Sequence, residues 1–284
     1  NNIKNYTHGM FQSVYDYPYL SSSANHIFDI TCGFAPTSHL SSSSGSANDD
    51  GDGTVGAAVQ QAKKINIYNE MAQILVGYET GSIREFDRDG DLTGGDKLRE
   101  CYFLNFTRLL NKDEIKKQSF SMTLMCSGTR DATGSTGKFT FQDTNALTSY
   151  KVNSPAGEYG ILYNTTTEAS VGLIYYQAGI VVLTGSVFNG SVPVNGFPTA
   201  SYPDFGAYDK GYIESAPSPD GARDNWVQTM TGSAISGSCD GLRNRLVNIS
   251  FNNTTELNST IYFCRANNNE FNYSSNPTYL SASK

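Results

Sequence analysis

Polar and apolar residues alternate over much of this chain, and a two-residue alternation predicts strands with one face on a core. "HIFDITCGF" carries the pattern within residues 1–35, where one or two strands are expected. "ECYFLNFTRLL" (100–110), "SFSMTLMCS" (119–127), "KFTFQD" (138–143), "SYKVNS" (149–154) and "EYGILYN" (158–164) repeat it between polar breaks. "GLIYYQAGIVVLTGSVF" (172–188) continues the run, and "RLVNISFNN" (245–253) with "STIYFCRANNNEFNYSS" (259–275) reads as a final hairpin joined through "NTTELN".

The period changes in "AAVQQAKKINIYNEMAQILVG" (57–77). Ile65, Tyr68, Ala72 and Leu75 recur at helical spacing, and Gly77 is a natural stop, so a helix is predicted there. "NKDEIKKQ" (111–118) predicts a short helix capped by Asn111, and "RDNWVQTMTGSAISG" (223–237) a further one. "PTSHLSSSSGSANDDGDGTVG" (36–56) is of low complexity and reads as a flexible, exposed loop. Residues 189–222 hold five of the nine prolines and read as an extended surface excursion of the kind that meets partners. The resulting expectation is a mainly β fold of antiparallel, sandwich-like sheets, with one or two helices in an α+β N-terminal part and long irregular loops. The 284 residues are taken as one β-rich unit, with a subdivision into an α+β part (1–118) and a β part (119–284).

Composition narrows the function. Hydrophobic residues make up 38% and charged residues 17%, with 18 Tyr and 15 Phe, which suits strands joined by polar turns. A net charge of −7 and the lack of a basic run argue against nucleic acid as a partner. No stretch has the length of an apolar membrane helix, so no membrane partner is expected. The five cysteines (Cys32, Cys101, Cys126, Cys239, Cys264) include no CxxC pair, which argues against zinc. Cysteines in apolar runs such as "RECYFLNF" and "TIYFCRA" read as small buried residues in a chain folded in a reducing cytoplasm. Nine Asn-x-Ser/Thr sequons occur, a number that a chain so rich in Asn, Ser and Thr reaches by chance.

Catalytic constellations are not evident. The three histidines (His8, His26, His39) all fall in the first 39 residues, and there is no GxSxG elbow, phosphate loop, dinucleotide fingerprint or HExxH. Glu70, Glu79, Glu100, Glu158 and Glu214 offer carboxylates for a glycoside hydrolase pair but nothing singles out two of them. "GFPTASYPDFGAYDKGY" (196–212) places aromatics beside Asn, Gly and Pro, as a sugar platform or a protein contact would.

One stretch carries a metal question. "FDRDGDLTGGDK" (86–97) places Asp87, Asp89 and Asp91 at positions 1, 3 and 5 of a calcium-type loop. Position 6 is Leu92 instead of Gly, and position 12 is Leu98 instead of Glu. The expectation is a tight acidic turn and no cofactor, with Arg84, Arg88, Lys97 and Arg99 supplying positive charge. If an ion does bind, hard oxygen donors select calcium over zinc.

Several long stretches resemble structural proteins of marine T4-like tailed phages, including cyanophages. They are "THGMFQSVYD" (7–16), "SSANHIFDIT" (22–31), "GSIREFDRDGDLTGGDKLRECYFLNFTRLLNKDEIKK" (81–117), "VGLIYYQAGIVVLTGSVF" (171–188) and residues 259–284. The resemblance implies a non-enzymatic virion component, made in the host bacterial cytoplasm and built into the particle. It implies other phage structural proteins as partners, in a homo-oligomer or hetero-assembly. It favours the tail, at the baseplate or fibre attachment, with a head or neck protein as the alternative. A glycan-binding adhesin or depolymerase-type receptor-binding protein is the reading from the aromatic loop. The family supplies no catalytic residues.

Overall fold

The computed structural model describes residues 2–16, 24–38, 55–79, 81–125, 138–188, 230, 234–255 and 260–265. Both long loops, 36–56 and 189–222, fall wholly or largely outside them, as do the aromatic stretch 196–212 and Glu214.

Ten strands form one antiparallel sheet. In chain order these are β1 (Ile3–Asn5), β2 (Gln12–Asp16), β3 (Asn25–Phe34), β8 (Glu100–Asn105), β10 (Ser121–Met125), β11 (Lys138–Gln142), β12 (Tyr159–Asn164), β13 (Ser170–Tyr175), β14 (Ile180–Thr184) and β15 (Leu246–Ser250). Their order across the sheet is β1-β2-β3-β8-β14-β13-β12-β11-β10-β15. The mainly β, antiparallel expectation therefore holds. Strands from residues 1–118 and 119–284 share this sheet, because β8 pairs with β14 from Cys101↔Thr184 to Asn105↔Ile180. Three two-stranded ladders flank it, between β4 (Tyr78–Glu79) and β5 (Ser82–Ile83), β6 (Phe86–Asp87) and β7 (Lys97–Leu98), and β9 (Glu114–Ile115) and β16 (Asn253–Thr254).

The middle of the sheet is covered on both faces, which is why its strands read as continuous apolar runs. Cys101, Tyr102, Phe103 and Leu104 of β8 are all buried. On one face lies α1 (Val55–Leu75), which buries Ile67, Tyr68, Ala72 and Leu75. The predicted helix at 57–77 is thus borne out. Gly77 closes it at φ +101°, with its N–H on the Ala72 carbonyl. Gly33 of β3 sets the approach: a Cβ there would lie 2.5 Å from the Lys64 carbonyl oxygen and 2.9 Å from the Tyr68 nitrogen. On the other face α3 (Ile235–Arg245) packs against β3 through Cys239, whose thiol reaches the Ile30 carbonyl. A cluster of Phe28, Phe106, Phe120 and Phe251 extends the core toward the β9–β16 ladder.

Several local expectations are corrected. "NKDEIKKQ" is not a helix. Glu114 and Ile115 are buried and pair with Thr254 and Asn253, and Gln118 takes φ +63° to bring its N–H onto buried Asp143. Tertiary pairing overrides the local propensity. "SYKVNS" contributes only an isolated bridge, Lys151↔Tyr159, preceded by the short helix α2 (Ala146–Ser149). The strand expected at 100–110 ends at Asn105 and gives way to a 3-10 turn at Thr107–Leu109. The expected final hairpin does not form among the described residues, because β15 pairs with β10 and residues 260–265 carry no strand. Cys264 is exposed there, against the expectation of a buried residue. Of the helix expected at 223–237, most lies outside the described residues; the described helix runs from Ile235 to Arg245.

Candidate metal centre

The acidic loop grows out of the α1 face of the sheet. Tyr68 of α1 stacks edge-on to Phe86 and near Phe103, with its hydroxyl aimed at the foot of the loop. That hydroxyl donates to the Leu98 carbonyl (2.7 Å) and accepts from the Phe86 N–H (3.2 Å). Phe86 and Leu98 face each other in the β6–β7 ladder, so one buried phenol clamps both strands. At the far end the Tyr159 hydroxyl (3.1 Å) and the Asn153 amide (3.0 Å) both donate to the Gly90 carbonyl. Gly90 takes φ +72° at that point of close approach.

Held at both ends, the loop gathers its acids. One carboxylate oxygen from each of Asp87, Asp89 and Asp91 lies within 4.8 Å of the others. Asp87 is buried and its neighbours are exposed. Backbone N–H groups orient all three: Leu92 donates to Asp87 (2.7 Å), Asp91 to Asp89 (3.2 Å) and Thr93 to Asp91 (2.7 Å). Leu92 adopts φ +63° to make its contact, a left-handed conformation uncommon for a residue with a Cβ.

Charge is balanced in part by the protein itself. Lys97 Nζ sits 3.1 Å from Asp87 Oδ1, as an ion pair more than as a well-directed hydrogen bond. Burial pushes the Asp87 carboxyl up, while Lys97 and the Leu92 N–H pull it down, and burial prevails. The Thr93 N–H holds Asp91 below the ordinary carboxylate range. Burial, reinforced by the charge of Asp87, pushes the Tyr159 phenol up to about 12, which keeps it a donor to Gly90.

Of the four cations expected nearby, Lys97 alone meets the cluster. Arg99 pairs with Glu85 (3.1 Å) and Arg84 with Glu79 (3.8 Å), while the buried Arg88 Nε has no hydrogen-bond partner. The three aspartates come together as a constellation, not splayed apart. Their oxygens could hold a hard cation, but calcium takes about six to eight oxygens and three carboxylates supply only part of that shell. Leu98, at the place of the missing glutamate, is core. Asn153 and Tyr159, which hold the tip of the loop, carry no sequence signal, since nothing local marks a residue more than sixty positions away as a partner, and the helical spacing that picks out Tyr68 as core does not show that its hydroxyl clamps the foot of the loop.

Other candidates do not assemble into a catalytic arrangement among the described residues. His26 Nε2 lies 2.7 Å from Asp29 Oδ1, and the Ser13 hydroxyl donates to the same oxygen at 2.5 Å. The carboxylate stands between hydroxyl and imidazole, so the ring is not placed to take the serine proton. Glu79, Glu100 and Glu158 are engaged separately with Arg84, Ser38 and Lys117. Glu70 lines a cavity of about 310 Å³ between α1 and the sheet, with Ile67, Met71 and Phe103. No helix among the described residues is long and apolar enough to cross a membrane. No family model, curated protein or solved structure matches this chain.

Proposed function

We propose that this chain is a non-enzymatic structural protein of a tailed-phage virion, placed in the tail at the baseplate or fibre attachment and acting through contacts with other structural proteins. The resemblance of five long segments supports the class. The observation that carries the assembly role is the run Ile261, Tyr262 and Phe263, whose side chains are 75%, 83% and 94% exposed. Three consecutive large apolar residues in water are costly, at roughly 25 cal/mol per Å² of apolar surface, and a partner that covers them recovers that free energy. Among the described residues the sheet also ends in strands bonded on one side, β1 to β2 and β15 to β10, and Val247 of β15 is exposed. Such edges take up further strands or covering segments on assembly. In this reading the acidic loop has a structural task, fastening the β6–β7 ladder to β12.

The test is a triple Ser variant at Ile261, Tyr262 and Phe263, made in the phage itself. The purified variant keeps the wild-type melting temperature, and its particles lack the protein by immunogold labelling. Particles carrying the normal complement of the variant overturn the role of this surface. Labelling of the wild-type protein on the head overturns the tail placement.

A further inference from the structure

An open groove of about 310 Å³ lies where β3, the 3-10 turn at Thr107–Leu109 and β15 converge. Phe28 and Phe106 form its buried floor, with ring centroids 5.5 Å apart. Ile27, Leu109, Ile249 and Phe251 form its rim and are only half-buried. No charged side chain lines it. Asn253 stands at one side, where its amide donates to the Leu109 carbonyl and to Asn111 Oδ1, both at 2.8 Å. The Asn253 Oδ1 makes no hydrogen bond among the described residues. An apolar segment with backbone N–H donors suits this site, since it covers the rim and offers the acceptor a partner.

The chain itself carries such a segment. Ile261, Tyr262 and Phe263 are exposed and do not line the groove of their own chain. We propose that the groove receives residues 261–263 of a second copy, whose own groove receives this chain's, in a two-fold dimer. This rests on the assembly role given above and names the partner of that surface. Ile261 follows Asn253 by eight positions. Eight residues span at most about 26–29 Å, enough to cross to a neighbour docked on the same side. Each aromatic buries roughly 150–250 Å² when covered. Tyr262 and Phe263 of two exchanged arms, with the groove surfaces they cover, thus reach the roughly 1,200–2,000 Å² of a specific interface. The groove borders β15, whose outer edge bonds no strand among the described residues, so the arriving segment also finds backbone groups to pair with. Because the same arm and the same groove meet on both copies, the contact closes at two and does not grow into a filament.

The experiment is sedimentation velocity of the full chain over a concentration series, in reductant so that exposed Cys264 forms no link between copies. The wild type is expected to sediment as a dimer that dissociates to monomer on dilution. The triple Ser variant at 261–263 and the groove variant Leu109→Asp both lose the dimer. At a dilution where the wild type is monomeric, both keep its melting temperature. Mixing the two variants joins an intact groove to an intact arm and restores a weaker dimer that neither forms alone. A wild type that stays monomeric at its highest soluble concentration overturns the proposal, as does a dimer that persists in the triple Ser variant. A mixture that stays monomeric overturns the seating of the arm in this groove. If the wild type is monomeric and the triple Ser phage still lack the protein, the assembly role stands and its partner is a different structural protein. If those phage carry the protein normally, the assembly role of this surface fails whatever the wild type does in solution.

Discussion

Lys97 Nζ and Asp87 Oδ1 meet at 3.1 Å across the β6–β7 ladder, where the two residues are also direct strand partners. The lysine occupies the side of the acid cluster that a metal ion would otherwise neutralise. A bound cation and the ammonium repel each other, so the ion pair works against metal binding. The wild-type chain is therefore expected to melt at the same temperature in chelator and in calcium. Removing the ammonium in Lys97→Met leaves three converging carboxylates with no counter-charge. That variant melts lower in chelator and regains much of the loss in calcium. A large chelator-sensitive drop in the wild type, absent in Asp89→Ala, would falsify the turn reading and make the loop a structural calcium site.

Asp87 also sets a dependence on pH. Its carboxyl is held above the ordinary value of 3.8 chiefly by burial. The folded chain then binds more protons than the unfolded chain in the window above 3.8, so this group's contribution to stability falls as pH rises through that window. Asp87→Asn removes the titration. The stability of the wild type minus that of the variant, from urea melts, should decrease as pH is raised from 3.8 and level off once Asp87 is ionised. A difference that grows with pH would mean that Lys97 outweighs desolvation.

Asp143 provides a test of a different kind. One of its oxygens accepts the Gln118 N–H (2.7 Å) and the Tyr176 hydroxyl (3.1 Å), and the other accepts the Phe120 N–H (3.1 Å). Asp143→Asn keeps the shape but turns an NH2 group toward one set of donors. A buried donor left unsatisfied costs about 1–3 kcal/mol. Asp143→Ala strands all three and should cost more than the Asn variant. Equal stability of the Asn variant and wild type, by chemical denaturation, would show that the carboxylate is not the hub of this turn.

The sequence discloses what is local and conceals what is tertiary. The α1 helix is legible because Tyr68, Ala72 and Leu75 repeat at helical spacing and are buried. The hairpin of β13 and β14 is legible because "GLIYY" and "GIVVL" flank a short turn ending at Gly179, φ +65°. By contrast, "NKDEIKKQ" looks helical only until Ile115 and Glu114 find Asn253 and Thr254, a pairing no window of sequence contains. The acid loop divides the same way. Its aspartates and positive-φ glycines stand out along the chain, whereas Tyr159 and Asn153, which hold it, look like ordinary residues near a strand. Lys97 is one of four nearby cations, and only the ladder register selects it.

That dependence of the loop on distant packing makes Gly33 the most informative single position. An added Cβ meets the backbone of α1, at 2.5 Å from the Lys64 oxygen and 2.9 Å from the Tyr68 nitrogen, so no side-chain rotation relieves the clash. Gly33→Ala must push α1 away from β3, at a cost of about 1–3 kcal/mol typical of overpacking. The push also carries Tyr68 off the Phe86 N–H and the Leu98 carbonyl, and so unclamps the foot of the acid loop. Two effects should therefore appear together: a lower urea midpoint, and faster hydrogen exchange at the Phe86 and Leu92 amides. Tyr68→Phe separates them. It keeps the helix in place and removes only the hydroxyl, leaving the buried Phe86 N–H without that acceptor, so it should speed exchange at Phe86 with a smaller loss of stability. If Gly33→Ala lowers the midpoint while Phe86 and Leu92 exchange as slowly as in the wild type, the loop is held by Tyr159 and Asn153 alone and α1 has no part in shaping it.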